Sequence, residues 1–98
     1  MEDIVLTDTN KERIIQIAKA MASKTRFDIL QHLSNEELDI SRLAERLSQT
    51  EANVSAQVKQ LEAAKLVESR YEPGNHGVRK ICKTRVKKVT IEITPSES

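Results

Sequence analysis

A mainly α-helical domain closed by a small β-hairpin is the fold this sequence predicts, on three observations. Apolar residues recur at helical spacing in four successive segments between residues 10 and 65. Ser stands before the second of these segments, Asp or Ser before the third and Thr before the fourth, where helix caps belong. Residues 66–84 alternate around a stretch of turn formers. A chain of 98 residues makes one domain with a modest core, which a partner subunit would help to close. Its expected parts are residues 1–9 as a tail or edge strand, 10–84 as the domain, and 85–98 as an extra strand with a frayed end at Pro95 to Ser98.

The elements follow in order. Ile4, Val5 and Leu6 form a short apolar run that fits an edge strand or a loose tail equally well. Thr9 followed by Glu12 fits a capping box, and Ile14, Ile17, Ala18 and Met21, widened by Ile15, mark a first helix over about residues 10–22. Ser23 caps a second helix with Phe27, Ile29, Leu30 and Leu33 on its apolar face, ending near Ser34 and Asn35. Leu38 to Ile40 is a connector with room for one or two strand bonds. Asp39 or Ser41 can then cap the helix that carries Leu43, Ala44 and Leu47. Thr50 is a good cap for a fourth helix, and Glu51 in its first turn suits the helix dipole. Leu66 to Tyr71 and Val78 to Thr84 read as strands around the turn segment Glu72 to Gly77. Val89, Ile91 and Ile93 alternate with Thr90, Glu92 and Thr94, the pattern of a third strand with one buried face.

Composition narrows the function classes. The net charge of +1 says little by itself, but residues 1–69 hold 9 basic against 12 acidic side chains and residues 70–98 hold 7 against 3. That asymmetry points to a phosphate-facing surface near the C-terminal end. Phe27 and Tyr71 are the only aromatics, too few for the stacking platforms of single-strand binders, so duplex DNA is the better-supported partner. One cysteine closes no intramolecular disulfide. Glu2 and Asp3 stand where a signal peptide needs positive charge, and no window approaches the ~20 apolar residues of a membrane span, so a cytoplasmic location is expected.

On the fourth helix, Val54, Val58 and Leu61 share one arc, which turns Ala52, Ala56 and Lys59 outward between Asn53, Ser55 and Gln60. Amide side chains can bond two atoms of an adenine edge, and small alanines can lie against thymine methyls. The candidate base-reading set is therefore Thr50, Ala52, Asn53, Ser55, Ala56, Gln57, Lys59 and Gln60, with an ordinary solvated face as the alternative. Grip on phosphate falls to the hairpin, where Arg70, His76, Arg79, Lys80 and Lys83 are the candidates and Arg85, Lys87 and Lys88 stand beside them. The same lysines would also serve to block strand-to-strand aggregation.

These residues carry a resemblance. MASKTRFDILQHL, residues 21–33, looks like the ArsR-type pattern of a capping residue, a Thr-Arg pair and an Ile-Leu-x-x-Leu run. LAERLSQTEANVSAQVKQLEAAKLV, residues 43–67, aligns with the same family's helix-turn-helix, with Val54-Ser55, Val58-Lys59, Leu61-Glu62 and Leu66-Val67 at its marked positions. The resemblance implies a winged helix-turn-helix homodimer that regulates transcription, repression being the implied mode. Two departures stand out. Ala56 replaces an Arg the family often has, which leaves specificity to Asn53, Ser55 and Gln57. Lys65 replaces the usual Gly before Leu-Val, so the fourth helix must end on a left-handed Lys or by another route.

The family's metal-sensing members carry a Cys-x-Cys pair in the third helix, and residues 41–48 contain no cysteine. Cys82, His32 and His76 are single and scattered, so no metal and no cofactor is expected. Cys82 reads as a packed strand residue and His32 as a helix-surface one. No nucleophile with its base and no phosphate-cradling glycine loop occurs, which predicts no enzyme. Ile14, Ile17 and Met21 on the first helix are the expected dimer contacts, and the last strand joins that interface, the hairpin or Ile4 to Leu6. The rival to DNA binding is a winged-helix protein-interaction module within a larger complex.

Overall fold

The structure, a computed structural model, describes residues 1–95, so the expected fray at Pro95 to Ser98 lies largely outside the described residues. The chain runs β1 (Glu2–Leu6), α1 (Lys11–Met21), α2 (Lys24–Leu33), β2 (Leu38–Asp39), α3 (Ile40–Leu47), α4 (Glu51–Ala63), β3 (Val67–Gly74), β4 (Gly77–Thr84) and β5 (Val86–Ile91). A 3-10 turn over Asp8–Asn10 leads into α1.

Caps decide where the helices begin. The Arg26 N–H donates to Ser23 Oγ at 3.2 Å, the Arg42 N–H to Asp39 Oδ1 at 2.8 Å, and the Asn53 N–H to Thr50 Oγ1 at 3.1 Å. Each satisfies a donor that the first turn leaves unpaired. The expected box at Thr9 does not form. The 3-10 turn places Asn10 at the start of α1 with no side-chain cap, and Thr9 Oγ1 instead bonds Thr7 Oγ1 at 2.9 Å.

Left-handed residues decide where two helices stop. At the end of α4, Lys65 adopts φ +63°, its N–H reaches Glu62 O at 3.0 Å, and the Leu66 N–H reaches Leu61 O at 3.0 Å. Ser48 does the same at φ +53° after α3, with Ser48 N–H on Glu45 O and Gln49 N–H on Ala44 O. Both are paired C-terminal bonds of the kind that usually recruit glycine, built here without one.

Two small sheets complete the domain. β4 lies between β2 and β3, all antiparallel, with Leu38 opposite Cys82 and Val67 opposite Thr84. The hairpin is longer than the sequence predicts, because Pro73 and Gly74 pair with Val78 and Gly77 and only Asn75 and His76 form the loop. Pro73 is tolerated since β3 is an edge strand, and Gly77 supplies the positive φ of +117° that reverses the chain. β1 pairs in parallel with β5, Ile4 opposite Val89 and Leu6 opposite Ile91, which answers both questions the termini posed.

The core is one cluster in which Ile17, Ile29, Leu43, Val54, Val58, Leu61, Leu66 and Cys82 lose all solvent contact. Leu6 joins it, with Ile4, Val86 and Val89 packed at its margin. Two apolar assignments change. Ala20, not Ala18, completes the buried stripe of α1, and Ile93 lies beyond β5 and is 85% exposed. Among the described residues no helix is long and apolar enough to cross a membrane.

Candidate nucleic-acid interface

Helix α4 is fastened to the core through Val54, Val58, Leu61 and, just past its end, Ala64, so its opposite side is presented outward. Ala52, Asn53, Ala56, Lys59 and Gln60 are exposed, Ser55 and Gln57 are half-buried, and Thr50 is exposed while also capping the helix. The centre of this face is neutral and small. Its acids lie at the border, where Glu51 accepts the Ser41 hydroxyl at 2.8 Å and Glu62 accepts from Lys80 Nζ at 2.8 Å. The one cation of the helix, Lys59, has no carboxylate partner among the described residues.

The amides are not free rotors. Gln57 Nε2 donates to Asn53 Oδ1 at 3.2 Å, Asn53 Nδ2 donates to Gln49 Oε1, and Gln49 Nε2 donates to Thr25 Oγ1 at 3.0 Å. Arg26 Nη1 closes the row on Gln57 Oε1 at 2.7 Å. The same guanidinium holds the end of α1, through Ala20 O at 2.6 Å and Lys19 O at 3.1 Å. Sequence reasoning singled out Asn53 and Gln57 but missed Thr25, Arg26 and Gln49. The Thr-Arg pair was visible as a motif, yet only the packing of α2 against α4 gives it a task.

The wing divides by face. Residues paired across an antiparallel ladder share a face, and the faces alternate along each strand. Val67, Ser69 and Tyr71 of β3, with Thr84, Cys82 and Lys80 of β4, therefore point toward α4. Glu68, Arg70 and Glu72, with Lys83, Ile81 and Arg79, point the other way. Tyr71, Val78 and Lys80 line a groove with Glu51, Ser55 and Lys59 of α4, and Arg79 reaches its rim. Arg70 and Lys83 sit on the far face. By composition the hairpin's charge forms one patch, but the two-residue period sends it to both sides.

Most of that charge is also matched. Arg79 Nε binds Asp39 Oδ2 at 3.0 Å, Lys80 binds Glu62, Lys83 binds Glu68 at 3.0 Å, and Arg70 bridges Glu37 at 2.8 Å and Glu72 at 3.0 Å. Arg85 joins Glu2 and Glu68 more loosely. His76 at the tip is exposed. Bonds from Arg70 and Lys83 hold the Glu37 and Glu68 carboxyls below the usual glutamate value. Burial works against the Lys80 charge, yet Glu62 more than offsets it and raises the ammonium pKa. With its side chain only 14% exposed, Lys80 is a structural tie between wing and helix. Burial pushes the Cys82 thiol up, as expected of a packed strand residue.

The dimer candidates separate in the same way. Ile17 is wholly buried in the core cluster of its own protomer, so it is unavailable to a partner. Ile14 and Met21 are half-buried, and the exposed isoleucine of α1 is Ile15. No group of three or more His, Cys, Asp or Glu side chains among the described residues could hold a metal ion.

Comparison with known proteins agrees with this architecture. HlyU from Vibrio cholerae superposes with a TM-score of 0.70 at 26% identity over 79% of each chain. The transcriptional regulator HlyU from Vibrio vulnificus gives 0.62 at 28% identity, over 80% of this chain and 79% of that one. The homodimeric winged helix-turn-helix DNA-binding domain of Mycobacterium bovis Mb0332, a possible ArsR-family transcriptional regulator, gives 0.68 at 24% identity and shares the fold, over 78% of this chain and 67% of that one. No curated protein matches the sequence. The ArsR-type resemblance and the winged fold read from residues 21–33 and 43–67 are thus borne out. The helix-turn-helix domain family matches residues 21–70, from the end of α1 to the first half of β3, and this chain belongs to it.

Proposed function

We propose that the chain binds duplex DNA sequence-specifically as a homodimer and regulates transcription, by repression, with residues 10–84 as the binding unit. The observation that carries this reading is the outer face of α4. A helix fixed by three fully buried residues presents Ala52, Asn53, Ala56, Lys59 and Gln60 without a central acid, beside a groove shared with the wing. Such a face suits the major groove, where amides and small apolar side chains read adenine and thymine edges. Lys59, the wing tip at His76 and the rim residue Arg79 are the phosphate contacts, with Thr50 at the helix start. Arg70 and Lys83 can assist only where the duplex wraps past the wing edge. The homodimeric state of the Mb0332 domain supports a paired arrangement here, with Ile15 joining Ile14 and Met21 in the interface.

The test is a gel-shift titration against mixed duplexes, followed by selection of bound fragments from random sequence. A palindromic preference with half-sites about one helical turn apart is the expected outcome. Absence of binding in low salt would reject the reading.

One observation favours the rival module: Tyr71 and Val78 on the groove side of the wing are 69% and 72% exposed. A protein partner covering them would bind through apolar area and lose little affinity in high salt, whereas duplex binding would weaken steeply.

A further inference from the structure

The row of bonds from Arg26 to Thr25 has a direction. A guanidinium only donates, so Gln57 must turn its oxygen to Arg26 and its NH2 to Asn53. Asn53 then accepts with Oδ1 and donates with Nδ2 to Gln49, which donates in turn to the Thr25 hydroxyl. Were Gln57 flipped, two NH groups would face each other at the first link. One obligate donor on α2 therefore sets the sense of three neutral amides whose two ends would otherwise be interchangeable.

We infer that Arg26 is a positioning residue for base selection: through Gln57 it fixes which edge of Asn53 donates and which accepts toward the major groove. Asn53 is exposed, and its two links within the row use one lone pair of Oδ1 and one hydrogen of Nδ2. One acceptor site and one donor site remain, in an order that the row imposes. An adenine edge offers N7 as acceptor and N6 as donor, and matches an amide in one orientation only for a given register of the helix. Arg26 stays half-buried between α1 and α4 and touches no base itself. This inference rests on the duplex-binding reading, so its test carries one arm that does not need DNA.

The experiment compares wild type with Arg26→Gln, whose amide can donate or accept, and Arg26→Lys, which still only donates. Side-chain amide NMR signals are read first, without DNA. In Arg26→Gln the NH2 signals of Gln57, Asn53 and Gln49 shift together, while in Arg26→Lys they stay near their wild-type positions. A shift confined to Gln57 overturns the polarised row whatever the protein binds. Selection from random duplex is read second. Arg26→Gln lowers the preference at the base read by Asn53 by about tenfold, in line with the discrimination of one bidentate pair, and leaves affinity for mixed sequence within about threefold. Should Arg26→Gln fail to fold, Gln57→Met breaks the row at its first link while leaving Arg26 on the α1 carbonyls, and the same loss at the Asn53 base is expected. Unchanged preference in a folded variant overturns the inference, and loss of all duplex binding by wild type overturns the parent reading instead.

Discussion

Lys65 carries the clearest residue-scale consequence of this fold. A left-handed lysine crowds its Cβ against the backbone, at about 1–2 kcal/mol, and it is the residue through which α4 turns into β3. Lys65→Gly removes the crowding but loosens the unfolded chain, so a net gain of about 0.5–1 kcal/mol is expected, read as a higher thermal midpoint with unchanged duplex affinity. The sequence announced this site through the missing glycine, because the constraint is local. Thr9 shows where local logic fails: its spacing to Glu12 is correct, but the 3-10 turn displaces the helix start by one residue. Cys82 gives a second expectation. Fully buried and with its pKa raised by burial, it should react with thiol reagents only as fast as the domain opens, so adding urea, not raising pH to the ordinary thiol range, should release labelling.

At the scale of elements, the hairpin and the terminal sheet depend on pairings that no periodicity announces. Alternation in residues 66–84 was enough to predict two strands, but which cation faces α4 required the register. The bonds between Glu37 and Arg70 and between Glu68 and Lys83 have a pH signature. Both carboxyls titrate lower in the folded protein than the ordinary 4.5, so their stabilisation is present above that value and disappears as pH falls through it and then through the folded values. Amide protection factors in β3 and β4, corrected for the slower intrinsic exchange in acid, should therefore fall below about pH 4.5 before those of α2 and α4. The β1 and β5 pairing was one of several options left by the sequence, since a parallel partner more than eighty residues away leaves no local trace. Leu6 anchors it in the core. Leu6→Ala should lose about 2–4 kcal/mol in urea denaturation and release the Glu92 N–H, which donates to Leu6 O at 2.9 Å.

For the whole molecule, the distribution of charge decides how strongly salt should act. A count of seven basic residues after position 69 suggests a strongly cationic flap, yet Arg70, Arg79, Lys80, Lys83 and Arg85 all meet carboxylates. Exposed pairs of this kind are weak and can exchange carboxylate for phosphate, but Lys80 in its sheltered pair cannot do so without stranding Glu62. Among the described residues Lys59 has no such attachment, and it lines the groove directly. The two lysines should therefore behave differently. Lys80→Ala should lower stability and leave the slope of log affinity against log salt near its original value, whereas Lys59→Ala should reduce that slope by about 0.9 for each protomer on the duplex. The size of the change counts subunits: about 1.8 for two copies on one site and about 0.9 for one. Ile15→Glu, which places a charge on the exposed apolar side of α1, should convert the first value to the second if that helix joins the protomers. A Lys59→Ala change near 0.9 in the otherwise unaltered protein would mean that a single copy occupies the DNA, because the same side chain would then contribute one phosphate contact and not two.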